Sequence, residues 1–382
     1  MKVAIIGAYQ TKFGELWDKS LADLIFEASV GALADSRMPA KKIQIAFFGN
    51  KLGPQTTSQN HLSALVAQLL GVSIPVIRVE AACASGGVAL SQACLAIESG
   101  QYDTALVLGA EKMTDQSPAQ IAQALMGAAS SQEREAGLTF PGLYALMAGK
   151  YLNDFGAKET DLAGVSVKNH FHASLNSKAQ FQFPVTIDQV MKSGEVASPL
   201  KLLDCSPITD GAAGLVLASP RFAQKRQKKN IYIRASQHFT DTLSLSKRQS
   251  FTEIPSAKKA AKKAFIQAGV EPSEVSLAEV HDCFTIAEIL ALEDLGFYQK
   301  GEGFLAVRNG QVKLGGTRPV NLSGGLKACG HPVGATGVKQ VVELYNQLLG
   351  RAGKKQTRKA KVGLAHNIGG TGGTAVVHII TK

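Results

Sequence analysis

The segment VIRVEAACASGG, residues 76–87, is the part of the sequence that is most informative about the fold. An apolar run ends in a turn of small residues, and a longer periodic segment continues to Ser99. This order predicts a strand, a tight turn and a helix. The same order recurs at Val320–Leu349, where the turn is SGGLKACGHPVGATG, residues 323–337. A repeat this long indicates a duplicated domain rather than a solenoid.

Working outward, strands and helices alternate along both halves, which predicts βαβ units and a mostly parallel sheet. The predicted strands are 3–7, 43–48, 76–79, 104–108, 214–218, 231–235, 277–280, 319–322, 362–365 and 374–379. The predicted helices are 21–35, 59–70, 85–99, 256–268, 285–295 and 335–349.

The alternation stops between Asp115 and Leu203, where helical pieces at 141–155 and 160–172 stand among polar loops. We interpret this stretch as an insertion, which either covers an active site or only stabilises the fold. The predicted domains are 1–114 with 204–230 as the N-terminal half, 115–203 as the inserted loop domain, and 231–382 as the C-terminal half.

Composition excludes several classes of protein. The chain has 382 residues, 45% of them hydrophobic, and a net charge of +11. No apolar run reaches the ~18 residues of a membrane span, and the N-terminus has no signal-peptide pattern. Five cysteines, an odd number, indicate a reducing cytoplasm rather than a disulfide framework.

Positive residues cluster at 221–229, 258–263 and 354–361. They are interpreted as solvated faces or as a rim for a phosphorylated cofactor. Nucleic acid is not expected, because no zinc-finger or ribonucleoprotein motif accompanies the charge.

Cys83 lies at the predicted junction of strand and helix. Backbone N–H groups and the positive end of the helix dipole favour the thiolate there, which is the nucleophilic form. The alternative is a small buried hydrophobic residue.

Three further segments follow predicted strands. His331 stands in a glycine-rich turn that offers an imidazole little to pack against, and His281 and Cys283 follow the strand at 277–280. The segment HNIGGTGGT, residues 366–374, exposes backbone N–H groups that could form an oxyanion hole. Each segment alone also has a purely structural interpretation, and the histidines and cysteines have no recognised metal-ligand spacing.

Taken together, the four segments resemble those of the thiolases over nearly the full chain. Cys83 with Ser85 is similar to the thiolase nucleophile segment, and GHPVGATG, residues 330–337, to the histidine segment. The resemblance implies an α/β, duplicated, five-layered α-β-α-β-α fold with a loop domain inserted in the first half.

Two segments depart from most thiolases. His281-Asp282-Cys283-Phe284 stands where most have Asn-Glu-Ala-Phe, and Asn367-Ile368-Gly369 where most have Cys-x-Gly. Both resemble the sterol-carrier-protein type and related prokaryotic acetyl-CoA acetyltransferases. In that type, the cysteine of the His-Asp-Cys-Phe segment is thought to replace the missing C-terminal cysteine.

The resemblance implies an acyl-CoA C-acetyltransferase with coenzyme A thioesters as substrates, no bound cofactor and no metal. Cys83 would be the nucleophile and His331 its base, with oxyanion donors at the N–H groups of Cys83 and Gly369. Cys283 would remove a methyl proton, and His281 with His331 would stabilise the enolate. Substrate contacts are also expected from His170, Met147 and Asn367.

The resemblance also implies a homodimer or homotetramer, with Ile77–Glu80 apolar enough for its seam. In some prokaryotes similar thiolases bind 3-hydroxy-3-methylglutaryl-CoA synthase and a small OB-fold protein. Two alternatives stay open: a decarboxylating ketosynthase using Cys83, His281 and His331, and a non-catalytic acyl-CoA or lipid-binding paralogue.

Overall fold

The computed structural model describes residues 2–225 and 230–382. The strands in this part are β1 Val3–Gln10, β2 Ile45–Gly49, β3 Val76–Val79, β4 Thr104–Glu111, β5 Glu195–Ala197, β6 Leu200–Lys201, β7 Gly211–Ala218, β8 Ile231–Thr240, β9 Leu277–Glu279, β10 Val362–Gly369 and β11 Thr374–Thr381. The helices are α1 Leu21–Ser36, α2 Gly53–Thr57, α3 Leu62–Leu70, α4 Ser85–Glu98, α5 Pro118–Met126, α6 Ser131–Glu135, α7 Phe140–Phe155, α8 Glu159–Ser174, α9 Ile187–Lys192, α10 Pro220–Gln224, α11 Pro255–Ala268, α12 Thr285–Asp294, α13 Gly303–Arg308, α14 Gly325–Cys329 and α15 Thr336–Leu349.

The order of strands in the large sheet shows the duplication directly. Nine strands pair in the order β3-β2-β4-β7-β1-β8-β11-β10-β9. Outward from the central β1–β8 pair, the first half runs β1, β7, β4, β2, β3, and the second runs β8, β11, β10, β9. The fifth position of the second half is Val320, which forms a single bridge to Ala278. Each half therefore arranges its strands in the same order.

The prediction of a mostly parallel sheet is wrong. Only the pairs β2–β3, β2–β4 and β9–β10 are parallel in the described sheet, and the other five are antiparallel. Two features explain the difference. The chain returns along β4 after the insertion to form β7, and four residues, 370–373, join β10 to β11 as a hairpin. A connection this short can join only antiparallel strands.

Two other predicted elements differ. In place of the predicted strand 319–322, Val320 forms a single bridge. The strand cannot continue, because Asn321 has φ of 58°, a left-handed conformation. The Oδ1 of Asn321 accepts from the N–H of Val280 at 2.8 Å. The predicted helix 59–70 begins at Leu62, because Ser58 and His61 have left-handed backbone angles.

Helices α4 and α15 lie at the centre of the molecule. Their apolar faces share one core with strands of both halves of the sheet. Helices α1 and α3 cover the first half on its other face, and α11 and α12 cover the second. Glycine allows the two central helices to meet, since a Cβ at Gly337 would lie 2.2 Å from the backbone nitrogen of Gly87. This contact brings the turns before α4 and α15 together.

Between β4 and β7 the chain forms helices α5 to α9 and the small β5–β6 sheet. Within residues 2–225 and 230–382, no helix combines the length and apolar character needed to cross a bilayer.

Candidate active site

Cys83 stands on a strained turn between β3 and α4. Ala82, the residue before it, has φ of 52°, a left-handed conformation that costs a non-glycine residue on the order of 1 kcal/mol. Ser85 holds the turn: its Oγ accepts from the N–H of Ala81 at 2.9 Å and donates to the carbonyl of Ala82 at 2.6 Å. The turn fixes the thiol at the carboxyl edge of the sheet.

The charge state of this thiol differs from the sequence expectation. Burial raises the pKa of Cys83, and the Lys51 ammonium and the N–H of Gly370 lower it only in part. Lys51 is held near the turn by the carbonyls of Ala124 at 3.2 Å and Leu125 at 2.8 Å. The resting residue is therefore a thiol, and it needs a base to become a nucleophile.

His331 supplies an imidazole that is neutral at physiological pH. Its Nδ1 lies 2.7 Å from the Oγ1 of Thr336, and its backbone N–H donates to the Oγ1 of Thr209 at 3.0 Å. Burial, with Lys339 and Lys51, lowers the pKa of His331 to about 3. The Nε2 atom is buried and has no partner among the described residues.

His281 follows β9 and faces His331, with the ring centroids 5.1 Å apart and the planes at 88°. Burial and His331 keep the pKa of His281 well below its usual value. The thiol of Cys83 and one ring nitrogen from each histidine all lie within 4.8 Å of one another. Residues from both halves of the chain thus meet at one point, and the same three donors form a candidate metal-ligand set.

Asp282 connects this segment to the turn before His331. Its carboxylate accepts from the N–H groups of Leu326 at 2.7 Å and Lys327 at 3.2 Å, and from Asn169 Nδ2 at 2.7 Å. These bonds fix the turn and the loop domain against the His281 segment.

Cys283 lies beside the same space. Burial, together with the nearby Cys83, raises the pKa of Cys283 well above its usual value, while a hydrogen bond with Tyr144 lowers it in part. The hydroxyl of Tyr144 also donates to the carbonyl of Gly370 at 3.0 Å, and its ring lies 4.6 Å from that of Phe284.

A cavity of about 190 Å³ reaches these groups between α5, α7 and residues 205–208. Cys83, Cys283 and His331 line it, and its walls include Ile121, Leu125, Phe140, Tyr144 and Ile208. None of its described lining residues is an acid, a lysine or an arginine. The cavity therefore suits an uncharged, largely apolar group.

Two family models match the chain: "Thiolase, N-terminal domain" over residues 3–221 and "Thiolase C-terminal domain-like" over residues 237–382. The chain belongs to the thiolase family. It is 48% identical to the acetyl-CoA acetyltransferase of Methanothermobacter thermautotrophicus, over 100% of this chain and 99% of that one. It is 45% identical to that of Methanocaldococcus jannaschii, over 99% and 98%.

Among solved structures, the Ltp2-ChsH2(DUF35) aldolase has a TM-score of 0.85 at 24% identity and covers 99% of this chain and 97% of its own. Human mitochondrial 3-ketoacyl-CoA thiolase has a TM-score of 0.77 at 18% identity, with coverage of 100% and 98%. These likenesses bear out the predicted fold, which is the duplicated five-layered fold of thiolases.

Of the site residues predicted for this thiolase-family chain, the structure brings together Cys83, His281, Cys283 and His331. Gly369 adjoins them at the end of β10, but the N–H that reaches the thiol is that of Gly370. The oxyanion role of Gly369 stays a prediction.

The three expected substrate contacts do not line the cavity. Met147 is fully buried in the core beneath α7, one turn beyond Tyr144. His170 is buried against Phe181, and its Nδ1 is 3.2 Å from the carbonyl of Phe183. The side-chain amide of Asn367 is hydrogen-bonded to Gly87, Cys83 and His281.

The described basic residues of the three clusters also lie away from this cavity. Arg221 pairs with Asp103, Lys258 with Glu253 and Lys355 with Glu343. Residues 226–229 of the first cluster lie outside the described part of the chain.

Sequence reasoning missed Lys51, Tyr144 and Thr336. Lys51 follows β2 at the same sheet edge as Cys83, so its position after a strand was an available signal. Thr336 follows His331 by five residues, and only the turn geometry pairs them. Tyr144 comes from the insertion, which carried no signal of its own.

Proposed function

We propose that this protein is an acyl-CoA C-acetyltransferase that makes or cleaves acetoacetyl-CoA, or another 3-ketoacyl-CoA, through an acyl-enzyme on Cys83. The observation that carries the proposal is the meeting of Cys83, His281 and His331 within 4.8 Å, with Cys283 lining the same cavity. The archaeal relatives named acetyl-CoA acetyltransferase support the substrate.

In the first half-reaction the Nε2 of His331 takes the proton of the Cys83 thiol, and the thiolate attacks the thioester carbonyl. The N–H groups of Cys83 and Gly369 are proposed to bind the oxyanion of the tetrahedral intermediate. When the carbon–sulfur bond to coenzyme A breaks, His331 returns its proton to the leaving thiolate. Acetyl-Cys83, free coenzyme A and neutral His331 remain.

In the second half-reaction Cys283 gives its proton to His331 and becomes the base for the methyl group of a second acetyl-CoA. His281 and protonated His331 stabilise the enolate oxygen. The enolate carbon attacks acetyl-Cys83, the bond to sulfur breaks, and His331 reprotonates the departing thiolate of Cys83. Cys283 keeps the methyl proton, so every group ends in its starting state. Each step is reversible.

Burial matters to this sequence of steps. It raises the pKa of both cysteines and lowers the pKa of both histidines, so these four side chains are uncharged before substrate binds. Negative charge then develops only on the bound substrate, at the oxyanion and at the enolate oxygen. Hydrogen-bond donors that are already in position can stabilise that charge.

The cavity supports a coenzyme A thioester as the substrate. Its uncharged walls suit the pantetheine arm, which leaves the charged phosphates outside. No step requires a metal or a bound cofactor.

We also propose that two copies associate along β3, as a dimer or within a tetramer. The described part of this strand pairs only with β2, and Ile77 on it is 46% exposed. An unpaired strand edge is a template for a second chain.

A cytoplasmic location is supported by the five free cysteines. Binding of 3-hydroxy-3-methylglutaryl-CoA synthase and a small OB-fold protein remains a proposal. The Ltp2-ChsH2(DUF35) structure, whose name joins two proteins, supports association with a second protein in general.

The test is to incubate the purified protein with acetyl-CoA and follow release of free coenzyme A, the mass of the intact protein and acetoacetyl-CoA in both directions. We expect one added acetyl group on Cys83, and none in Cys83→Ala. Turnover that requires a malonyl thioester would instead show a decarboxylating ketosynthase. No acylation with any thioester would indicate a non-catalytic paralogue.

A further inference from the structure

The side chain of Asn367 lies behind the two active-site histidines, on β10. Its Oδ1 is 3.3 Å from the backbone N–H of Gly87. Its Nδ2 is 3.0 Å from the carbonyl of Cys83 and 3.0 Å from the Nδ1 of His281. All of its polar atoms are thus engaged by the protein.

These contacts determine which way the amide faces. A backbone N–H only donates and a backbone carbonyl only accepts, so the oxygen must face Gly87 and the nitrogen must face Cys83. The second hydrogen on Nδ2 then points at the Nδ1 of His281, which must accept it. A neutral imidazole carries one proton, so His281 carries it on Nε2.

His331 has the opposite arrangement. The hydroxyl of Thr336 donates its one hydrogen to the carbonyl of Pro332 at 3.2 Å. With its hydrogen directed there, the hydroxyl oxygen accepts from the Nδ1 of His331 at 2.7 Å, which is the arrangement that the proposed base role of Nε2 requires. The proton of His331 sits on Nδ1, and its Nε2 presents a lone pair.

Both Nε2 atoms are buried without a partner in the described chain. Because one carries a hydrogen and the other a lone pair, the two histidines that face each other are not interchangeable.

We propose that Asn367 is a positioning residue that holds the proton of His281 on Nε2, so that His281 is a permanent hydrogen-bond donor and His331 is the basic imidazole of the two. This inference rests on the proposed function. It assigns His281 to the enolate oxygen alone and His331 to both proton transfer and stabilisation.

The same hydrogen bond bears on metal binding. A nitrogen that carries a hydrogen has no lone pair for a metal ion. Of the three donors that meet here, only Cys83 and His331 can act as ligands while Asn367 holds His281, and this is too few for a zinc site.

The test is Asn367→Asp, which keeps the size of the side chain but replaces the amide donor with an acceptor. The carboxylate draws the proton of His281 to Nδ1, and the donor to the enolate is lost. Loss of one such donor costs about 10²–10³-fold. We expect the condensation rate to fall by that factor relative to acetylation of Cys83, which itself slows because the variant also loses the amide bond to the carbonyl of Cys83.

A pH profile separates this role from a merely structural one. The new carboxylate raises the pKa of His281, and below that pKa both ring nitrogens carry hydrogens. Condensation by the variant should therefore recover as the pH falls, and condensation by the parent should not. The matched control is Asn176→Asp, a buried amide that donates to the carbonyl of Ser323 at 2.8 Å and is not bonded to any histidine.

Equal loss of both half-reactions, without recovery at low pH, would overturn the inference. A parent enzyme that acetylates Cys83 but never condenses would refute the proposed function instead. If Asn367→Asp does not fold, NMR of the ¹⁵N-histidine-labelled parent still measures the tautomers directly. The spectrum of His281→Gln identifies the signals of His281. We expect the proton on Nε2 in His281 and on Nδ1 in His331, and the same tautomer in both would reject the proposal.

Discussion

The two copies of the strand–turn–helix unit end at corresponding edges of the sheet but differ in what covers them. In the first copy β3 is half-exposed and pairs on one side only within the described chain. In the second copy the matching segment around Val320 is buried under α8. Lys168 donates to the carbonyl of Val320 at 2.9 Å, and His172 Nδ1 lies 3.0 Å from that of Asn321.

The two active-site thiols differ in a similar way. Cys83, in the first copy, has the Lys51 ammonium and the N–H of Gly370 near it. Cys283, in the second, is hydrogen-bonded with Tyr144 of the insertion, and the nearby Cys83 raises its pKa further. Helix α8 of the insertion thus covers the edge of the second copy around Val320, while β3 of the first copy stays half-exposed. The two halves of the duplicated scaffold therefore give the two thiols different surroundings.

The largest expected effect tests whether the second thiol is a base. Cys283→Ser should still acetylate Cys83 but lose condensation by about 10²–10⁴-fold, because a hydroxyl is far harder to ionise than a thiol. Intact-protein mass spectrometry measures the first step. NMR of deuterium uptake into the methyl group of acetyl-CoA measures the second. If condensation continues at nearly the parent rate, Cys283 is structural and the base is a histidine.

The next effect tests how α8 stabilises the edge around Val320. Lys168 is buried, with its Nζ 3.0 Å from Glu288 and 2.6 Å from Asn169 Oδ1. Lys168→Met leaves Glu288 buried without its cation, and breaking such a pair costs about 3–5 kcal/mol. Urea unfolding measures the loss. The control is Lys192→Met, whose ion pair with Asp188 is exposed and should change stability by less than about 1 kcal/mol. Equal values for the two variants would contradict the role of α8.

A substitution on β3, the half-exposed edge of the first copy, should have a smaller effect, which concerns the association of two copies. Ile77→Asp places a charge on β3, and burying it at a seam costs about 2 kcal/mol or more. Light scattering should show dissociation at protein concentrations where the parent is dimeric. Leu146→Asp is the control, because Leu146 is 48% exposed but lies on α7. If both variants keep the parent's mass, the seam is not at β3.

The smallest effect concerns the cation near Cys83. The Lys51 ammonium lowers the pKa of this thiol, so Lys51→Met should raise that pKa and reduce the thiolate fraction at any pH below it. Alkylation of Cys83 by iodoacetamide at pH 7 should slow by roughly three- to tenfold. Peptide mapping across a pH series measures this, with Lys19→Met as the surface control. An unchanged profile would mean that burial alone determines the reactivity of the thiol.

Periodicity and glycine placement were sufficient for most of the predicted strands and helices. The strand predicted at 76–79 is β3, and the helix predicted at 85–99 is α4 with one residue fewer. The turns that carry Cys83 and His331 were also readable, because small residues beside a strand end are a local signal. Strand direction was not readable, because alternation of elements does not reveal whether a strand joins its neighbour directly or through a crossover.

By itself, the sequence indicated the duplication and predicted an insertion at 115–203 and Cys83, His281 and His331 as site residues, since each of these segments has a local pattern of its own. Only the tertiary structure showed that Lys51 and Tyr144 reach this site and that Asn367, 316 residues from Lys51, is bonded to His281. Their effects, a shifted pKa, a bonded thiol and a fixed tautomer, depend on distances of a few ångströms. Those distances exist only after the two halves have folded around α4 and α15.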